Sequence, residues 1–229
     1  MATKVVVEGS NISASQLQDL FRQFADGSLK DYHLKAFLDH RNPFAIEEVV
    51  INWVAVYELL GMRNELKASD NIRVNPDPMF WDVYVLRGVT LSMVLQAFRN
   101  LGAGVSLHVD DLDENVLMDD RHPTGGSYRV RFQKTIEADP ELHSLSSAML
   151  SERGILGITL LERLLLGLGY FLATGKHLDV ENVTLCAGTH LPNNCVPTVI
   201  WMTKTRNVVI SICPQSHFHP RLRTRAAVL

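Results

Sequence analysis

Hydrophobic residues recur with helical spacing through the first quarter of the chain. Leu17, Leu20, Phe21 and Phe24 follow the i, i+3, i+4, i+7 rule behind Ser15, which is placed as N-cap, and Asp26-Gly27 stops the run. A second short helix carries Leu34, Phe37 and Leu38 and ends before Asn42-Pro43. A third starts near Phe44 and is expected to bury Ile46, Val49, Val50, Trp53, Val54, Tyr57 and Leu60, with Gly61 just past its end. Lys4 to Glu8 reads as a short strand before them. Three amphipathic helices on short loops make a helical N-terminal module over residues 1–66 whose expected role is packing.

The rhythm then changes. LKASDNIRVNPDPM, from Leu66 to Met79, is polar and carries Pro76 and Pro78, which marks a boundary. Beyond it WDVYVLR alternates as a strand, TLSMVLQAFRNLG reads as a helix and VSLHV as another strand. Together they form a β-α-β connecting segment over residues 67–126. The next strand is SYRVRF after Gly125-Gly126, with Tyr128, Val130 and Phe132 on one face and Arg129 and Arg131 on the other.

The strongest signal lies further on. From Leu160 to Thr174 leucines cover nearly every face, which is the pattern of a core helix. Thr159 is its N-cap, Glu162 completes a capping box and Gly175 ends it as a left-handed residue. Glu162 and Arg163 are its only charges. Gly167 and Gly169 each cost about 1 kcal/mol against Ala within a helix, so a close approach is expected there. After this helix the period is lost. Short strands are expected at Val199 to Thr203 and Val208 to Ile212, with a last one from Thr224 to Leu229. The fold class is therefore α+β, with a third unit spanning 127–229.

Composition narrows the function. A chain of 229 residues with a net charge of −3 has no general pull toward nucleic acid or an anionic membrane surface. The apolar stretch of MATKVVVEG is too short for a secretory leader, and Glu162 and Arg163 interrupt the only long apolar run, so no membrane span is expected. Three cysteines, an odd number, point to a reducing compartment, and a cytoplasmic location is expected. The triplets at Asn11 and Asn182 that match glycosylation acceptors carry little weight in that setting.

Candidate chemistry concentrates in the tail. Cys186, His190, Cys195, Cys213, His217 and His219 suit zinc by type, but no Cys-x-x-Cys pair is present and His217 and His219 merely alternate. Asp110, Asp111, Asp113 and Glu114 lack the spacing of a calcium loop and read as a solvated loop. No nucleophile elbow, Cys/His signature or phosphate loop is recognisable. No metal, cofactor or catalytic residue is expected.

The run TLLERLLLGLGYFLATGKHLDVENVTLCAGT, then Val196-Pro197, Trp201, a strand pair and the terminal LRTRAAVL resembles the variable proteins of diversity-generating retroelements. The resemblance covers roughly Ser127 to Leu229 and implies a C-type-lectin-like domain. In it SYRVRF would pair with the terminal strand and the core helix would pack on the sheet. It also implies a diversified ligand-binding protein without catalysis, in which randomised codons place variable side chains on an exposed face. The positions so implied are His190, Leu191, Pro192, Asn193, Asn194, Cys195, Thr198, Ile200, Val209, Ser211, Cys213, Ser216, His217, Phe218 and His219. Gly188, Val196-Pro197, Trp201 and Arg223 to Val228 would be the fixed frame. On strand alternation Val208, Ile210 and Ile212 would face inward, and an outward Val209 would join Phe218 and Leu191 in an apolar patch. Leu191-Pro192-Asn193 stands in place of the carboxylate-bearing triplet of calcium-dependent lectins, so calcium-mediated sugar binding is not expected. The implied partner is a macromolecule, in the first instance a protein. The competing reading is an enzyme or metal protein that uses the Cys/His-rich tail.

Overall fold

The core helix forms where its caps place it. α6 runs Leu160–Thr174, with the Thr159 hydroxyl accepting from the Glu162 N–H and the Glu162 carboxylate accepting from the Thr159 N–H. Gly175 closes it in the left-handed conformation at φ 69°. Both internal glycines have a packing reason. A Cβ on Gly167 would lie 2.6 Å from an Arg163 guanidinium nitrogen, and one on Gly169 would lie 2.6 Å from the Ile51 Cγ2. Gly167 thus leaves room for a charged side chain to lie along the helix, and Gly169 for the segment before α2.

The computed structural model describes residues 13–29, 34, 38, 49–68, 77–107 and 116–229. The expected strand at Lys4 to Glu8, most of the second helix, Ile46, most of the polar boundary segment and the acidic cluster at 110–114 lie outside them. The chain divides into two compact units, Met1–Glu48 and Val49–Leu229. In the first, α1 (Ala14–Ala25) is capped by Ser13 and not Ser15, because Gln16 stands three residues after Ser13 and returns the reciprocal bond. Its apolar residues Leu17, Leu20 and Phe21 are exposed.

In the second unit the elements are α2 (Trp53–Leu59), α3 (Arg63–Ala68), β1 (Phe80–Val85), α4 (Leu91–Asn100), β2 (Gly104–Leu107), β3 (Met118–Asp119), β4 (Tyr128–Gln133), α5 (Ser147–Glu152), α6, β5 (Val183–Leu185), β6 (Thr189–His190), β7 (Cys195–Met202), β8 (Asn207–Pro214) and β9 (Leu222–Arg223). The division falls between Glu48 and Val49, not after residue 66 or 126 as the sequence reading has it. Three aromatic side chains are the reason. Trp53 donates to the Asp82 carbonyl at 2.9 Å, Tyr57 donates to the Tyr84 carbonyl at 2.5 Å, and Trp81 donates back to the Val49 carbonyl at 3.2 Å. They tie α2 to β1. α2 itself begins at Trp53 behind Asn52, not near Phe44. A seven-residue helix that buries Trp53, Val56 and Tyr57 leaves Val54 on the far side, and Val50 precedes it; both are exposed.

The described strands form a two-stranded sheet β1-β4, a five-stranded sheet in the order β2-β8-β7-β5-β9, and the short pair β3-β6. β7 and β8 pair antiparallel along their whole length; β2 joins β8 and β9 joins β5 in parallel. α6 packs with α4 and with β1 and β7 in one large core that holds Leu164, Leu165, Leu166, Leu168, Val199, Trp201, Val208 and Ile210. A second cluster, Leu142, Leu145, Leu150, Leu185, Ala187, Val196 and Leu222, lies under α5. Val196 and Val199 belong to different clusters because successive side chains on β7 point to opposite faces.

SYRVRF does alternate as expected, with Val130 and Phe132 buried and Arg129 exposed. Its main partner is β1, while the chain end meets it in a single bridge, Arg131 to Val228, at 2.9 and 3.0 Å. Ala226 bridges Gly157 in the same way, so the last residues run back over the start of the core helix. Among the described residues no helix is long and apolar enough to cross a membrane.

Buried charge holds the end of the chain in place. Asp179, fully buried, accepts from Arg225 at 2.9 Å and from Arg163 at 2.7 Å, and Thr184 donates to it. Arg225 also donates to the carbonyls of Thr135 and Ile136. Next to Arg163 in the first turn of α6, Glu162 is gripped by Arg121 with two bonds of 2.7 and 2.8 Å, and Tyr128 donates to the same carboxylate.

Candidate functional site

β7 and β8 pair from Cys195↔Pro214 to Met202↔Asn207. At the Cys195–Pro214 end the chain arrives through the turn Pro192–Asn194 and leaves through Gln215 to His219. One backbone bond sets these two turns side by side: the Gln215 N–H donates to the Asn194 carbonyl at 2.8 Å. Leu191 donates to the Cys195 carbonyl at 2.9 Å and closes the first turn. Within it Asn193 and Asn194 sit at φ 60° and 54°, a left-handed conformation that asparagine tolerates better than most residues. Both asparagines therefore have a backbone reason to be where they are. Asn194→Val is expected to cost about 1–2 kcal/mol and Asn193→Gly close to nothing, read by chemical denaturation.

β6 anchors the same end from the side. It pairs with β3, which places His190 opposite Met118. The His190 Nε2 lies 3.0 Å from the Asp120 carboxylate and its Nδ1 lies 3.4 Å from the Gln215 amide nitrogen. The amide donates to Nδ1, so Nε2 carries the proton and donates to Asp120. This string links the β3–β6 pair to the turn after β8.

The sequence-derived positions divide into three groups. Pro192, Asn193, Asn194, Ser216, His217, Phe218 and His219 are exposed and cluster on the two turns. His190, Cys195, Ile200, Val209 and Ser211 are half-buried, the last three on the outer face of the hairpin. Leu191 and Thr198 are buried, 4% and 7% exposed, and so are not surface positions. Leu191 folds in because the turn closes over it. Thr198 lies in mid-strand between Pro197 and Val199, both buried, opposite Ser211. Cys213 is only half-exposed because it packs against the second cluster beside Val196. Val208 and Ile210 do face the core, but Ile212 is 43% exposed, as β8 has by then run past the large core. The expected patch of Val209, Phe218 and Leu191 does not form, since Leu191 is buried and Val209 lies mid-strand. The apolar features of this end are Phe218, 64% exposed, and Ile212.

Asp120, Gln215 and Ile212 belong to this end of the sheet and carry no local signal in the sequence. Asp120 reaches it only through the β3–β6 pairing, and Ile212 alternates like a core residue.

The groups available here are an exposed aromatic, imidazoles, amides and hydroxyls on a hydrogen-bonded frame. Burial opposes thiolate formation at two of the cysteines, Cys186 and Cys213. Burial pushes the Cys186 thiol far up, and pushes Cys213 up to about 11. Among the described residues no group of three or more His, Cys, Asp or Glu side chains comes together to hold a metal ion. No protein-family model matches the chain, and neither a curated protein nor a solved structure matches it.

Proposed function

We propose that this chain is a ligand-binding protein that recognises a macromolecular partner, of protein class, through the paired turns Pro192–Asn194 and Gln215 to His219. The observation that carries the reading is their convergence. Seven exposed side chains of mixed chemistry stand on one end of a fully paired hairpin whose opposite face is buried beneath α6. A rigid frame under adaptable surface loops is the physical requirement of a paratope.

The C-type-lectin-like architecture and the diversification of these positions belong to the same proposal. In favour of the architecture are the return of the chain end to SYRVRF at Arg131 and the packing of α6 on the antiparallel hairpin. The buried Val196, Trp201 and Arg225 behave as the fixed frame such a protein needs. Against the competing reading, catalysis or metal binding by the Cys/His tail, stands the burial that raises the thiols of Cys186 and Cys213.

Two results test this. Combined replacement Pro192→Ser, Ser216→Tyr, His217→Tyr and Phe218→Ser is expected to leave the melting temperature within about 5 °C, as surface changes do. A fall of about 10 °C or more would mean that the turns are structural. Sequencing of the locus is expected to show a near-copy of the tail-coding sequence, differing at adenines, beside a reverse-transcriptase gene. A locus without that copy removes diversification from the proposal and leaves the binding face to stand on the substitution result.

A further inference from the structure

A sizeable cavity lies away from the turns. It is a cleft of about 720 Å³ between the turn after β1, the start of α4, the segment Val116–Thr124 and Leu161 of α6. This is within the size range of small-molecule sites, about 300–1,000 Å³. Its walls are mostly apolar, formed by Val89, Leu91, Leu117, Met118 and Leu161, and polar groups sit at a few points only.

Two of the wall residues are out of place for a chain with no use for the cleft. Leu117 and Met118 are neighbours in sequence and are 67% and 58% exposed. Adjacent large apolar side chains left in water beside a cavity mark a binding surface rather than scattered surface residues. The segment that carries them is firmly held. The Leu117 N–H donates to the His190 carbonyl at 2.9 Å, the Asp120 N–H donates to the Gly188 carbonyl at 2.8 Å, and Arg121 is clamped to Glu162.

The opposite rim is equally fixed. Arg87 donates its backbone N–H to the Ser127 hydroxyl at 2.9 Å, Gly88 follows at φ 86°, and the Val89 N–H donates to the Leu86 carbonyl. This tight turn presents the Arg87 side chain to the cleft, and its guanidinium has no ion-pair partner among the described residues. His122 lines the cleft as well. Its Nδ1 accepts from the Thr124 N–H, which leaves the proton on Nε2, a donor with no partner among the described residues. A planar fork with five donors and an imidazole N–H suit a carboxylate or a sulfonate.

We propose that this cleft binds a small amphipathic organic anion, with its apolar body against Leu117, Met118 and Leu161 and its anionic group at Arg87 and His122. Asp119 tunes the site. It lines the cleft with one carboxylate oxygen taken by the Thr189 hydroxyl, and burial pushes its carboxyl up to about 6. Above that pH its charge opposes an anion; below it the opposition disappears. The other titratable groups around Asp119 are His122, Asp120 and Glu162, the last neutralised by Arg121. Loss of the Asp119 charge removes this opposition, so the anion binds more tightly as the pH falls.

The test uses the full chain and 1-anilinonaphthalene-8-sulfonate, an aromatic sulfonate that fluoresces in apolar surroundings. One saturable site is expected, tighter at pH 5.5 than at pH 8. Arg87→Glu and Met118→Asp are each expected to weaken it about tenfold or more, the scale of one lost charged or apolar contact. Met202→Asp, on an exposed apolar residue of β7 outside the cleft, is expected to leave it unchanged. Both cleft positions are exposed, so the variants should melt with the parent by circular dichroism. The inference is overturned if the dye does not saturate, if either cleft variant keeps the parent affinity, if Met202→Asp weakens binding equally, or if binding tightens toward pH 8.

Discussion

Asp179→Ala is expected to lower the folding free energy by about 3–5 kcal/mol, the cost of leaving a buried charge without its partner. Set against the 5–15 kcal/mol of a typical domain, that is enough to make the chain marginal at 37 °C. Two guanidiniums depend on this one carboxylate. Arg225, 0% exposed, lies 2.9 Å from one oxygen, and Arg163, 4% exposed, lies 2.7 Å from the other. Among the described residues neither has a second ion-pair partner, so both would be stranded in the core. The pH dependence has a definite sign. Burial alone would push the Asp179 carboxyl up, but Arg225, Arg163 and the Thr184 hydroxyl outweigh it and hold the carboxyl below the ordinary carboxylate value. The stabilisation is therefore complete above the unfolded value near 4 and is lost as the pH falls through the lower native value. Urea denaturation at pH 7 should show the full difference between parent and variant, and the difference should shrink at strongly acidic pH. A difference below about 1 kcal/mol at pH 7 would mean that the network is not a fastening of the chain end.

That network also shows where reading from sequence stops. The capping box of α6, its glycine end and its buried leucines are all local signals, and all are present in the chain as a linear pattern. So are the alternation of SYRVRF and the Thr90 cap of α4. Glu162 and Arg163 look like ordinary polar residues at the start of a helix. Their burial follows only from Arg121 and Asp179, which come from distant points on the chain and leave no spacing to recognise. The boundary at Val49 is hidden for the same reason: Trp53 and Tyr57 satisfy the amphipathic rule equally well in a separate helical module, and Trp81 satisfies the alternation of a strand wherever that strand docks. In the candidate site the period-two rule correctly turned Val208 and Ile210 inward. It failed at Ile212, where the strand continues and the core beneath it does not. Leu191 and Thr198 are surface positions only by the resemblance, which says nothing about which side chains a tight turn folds in or a strand buries. The cleft at Arg87 and Met118 left no trace in the sequence, since its walls come from three separate segments.

The second large effect is expected at Gly169. A leucine there would need the space that Ile51 fills, since even a Cβ would come within 2.6 Å of the Ile51 Cγ2 and 3.6 Å of the Val56 Cγ2. Overpacking of a dense core costs about 1–3 kcal/mol and occasionally more, and a leucine adds three carbons beyond the atom that already collides. Gly169→Leu should thus destabilise at the upper end of that range. Leu165→Asp, at a position with no exposure, should cost several kcal/mol for the unpaired charge. Gly169→Ala separates packing from helix propensity, because the two effects have opposite signs. Away from a contact, alanine would gain about 1 kcal/mol over glycine in mid-helix; here the collision should make the change unfavourable. Ile51→Ala removes the colliding methyl, so the double variant Gly169→Ala, Ile51→Ala should be more stable than the sum of the two single effects predicts. A coupling of about 1 kcal/mol or more is the expected outcome for residues in contact. Strict additivity, or a Gly169→Leu chain that melts like the parent, would mean that α6 does not meet the segment before α2 as closely as the 2.6 Å approach requires.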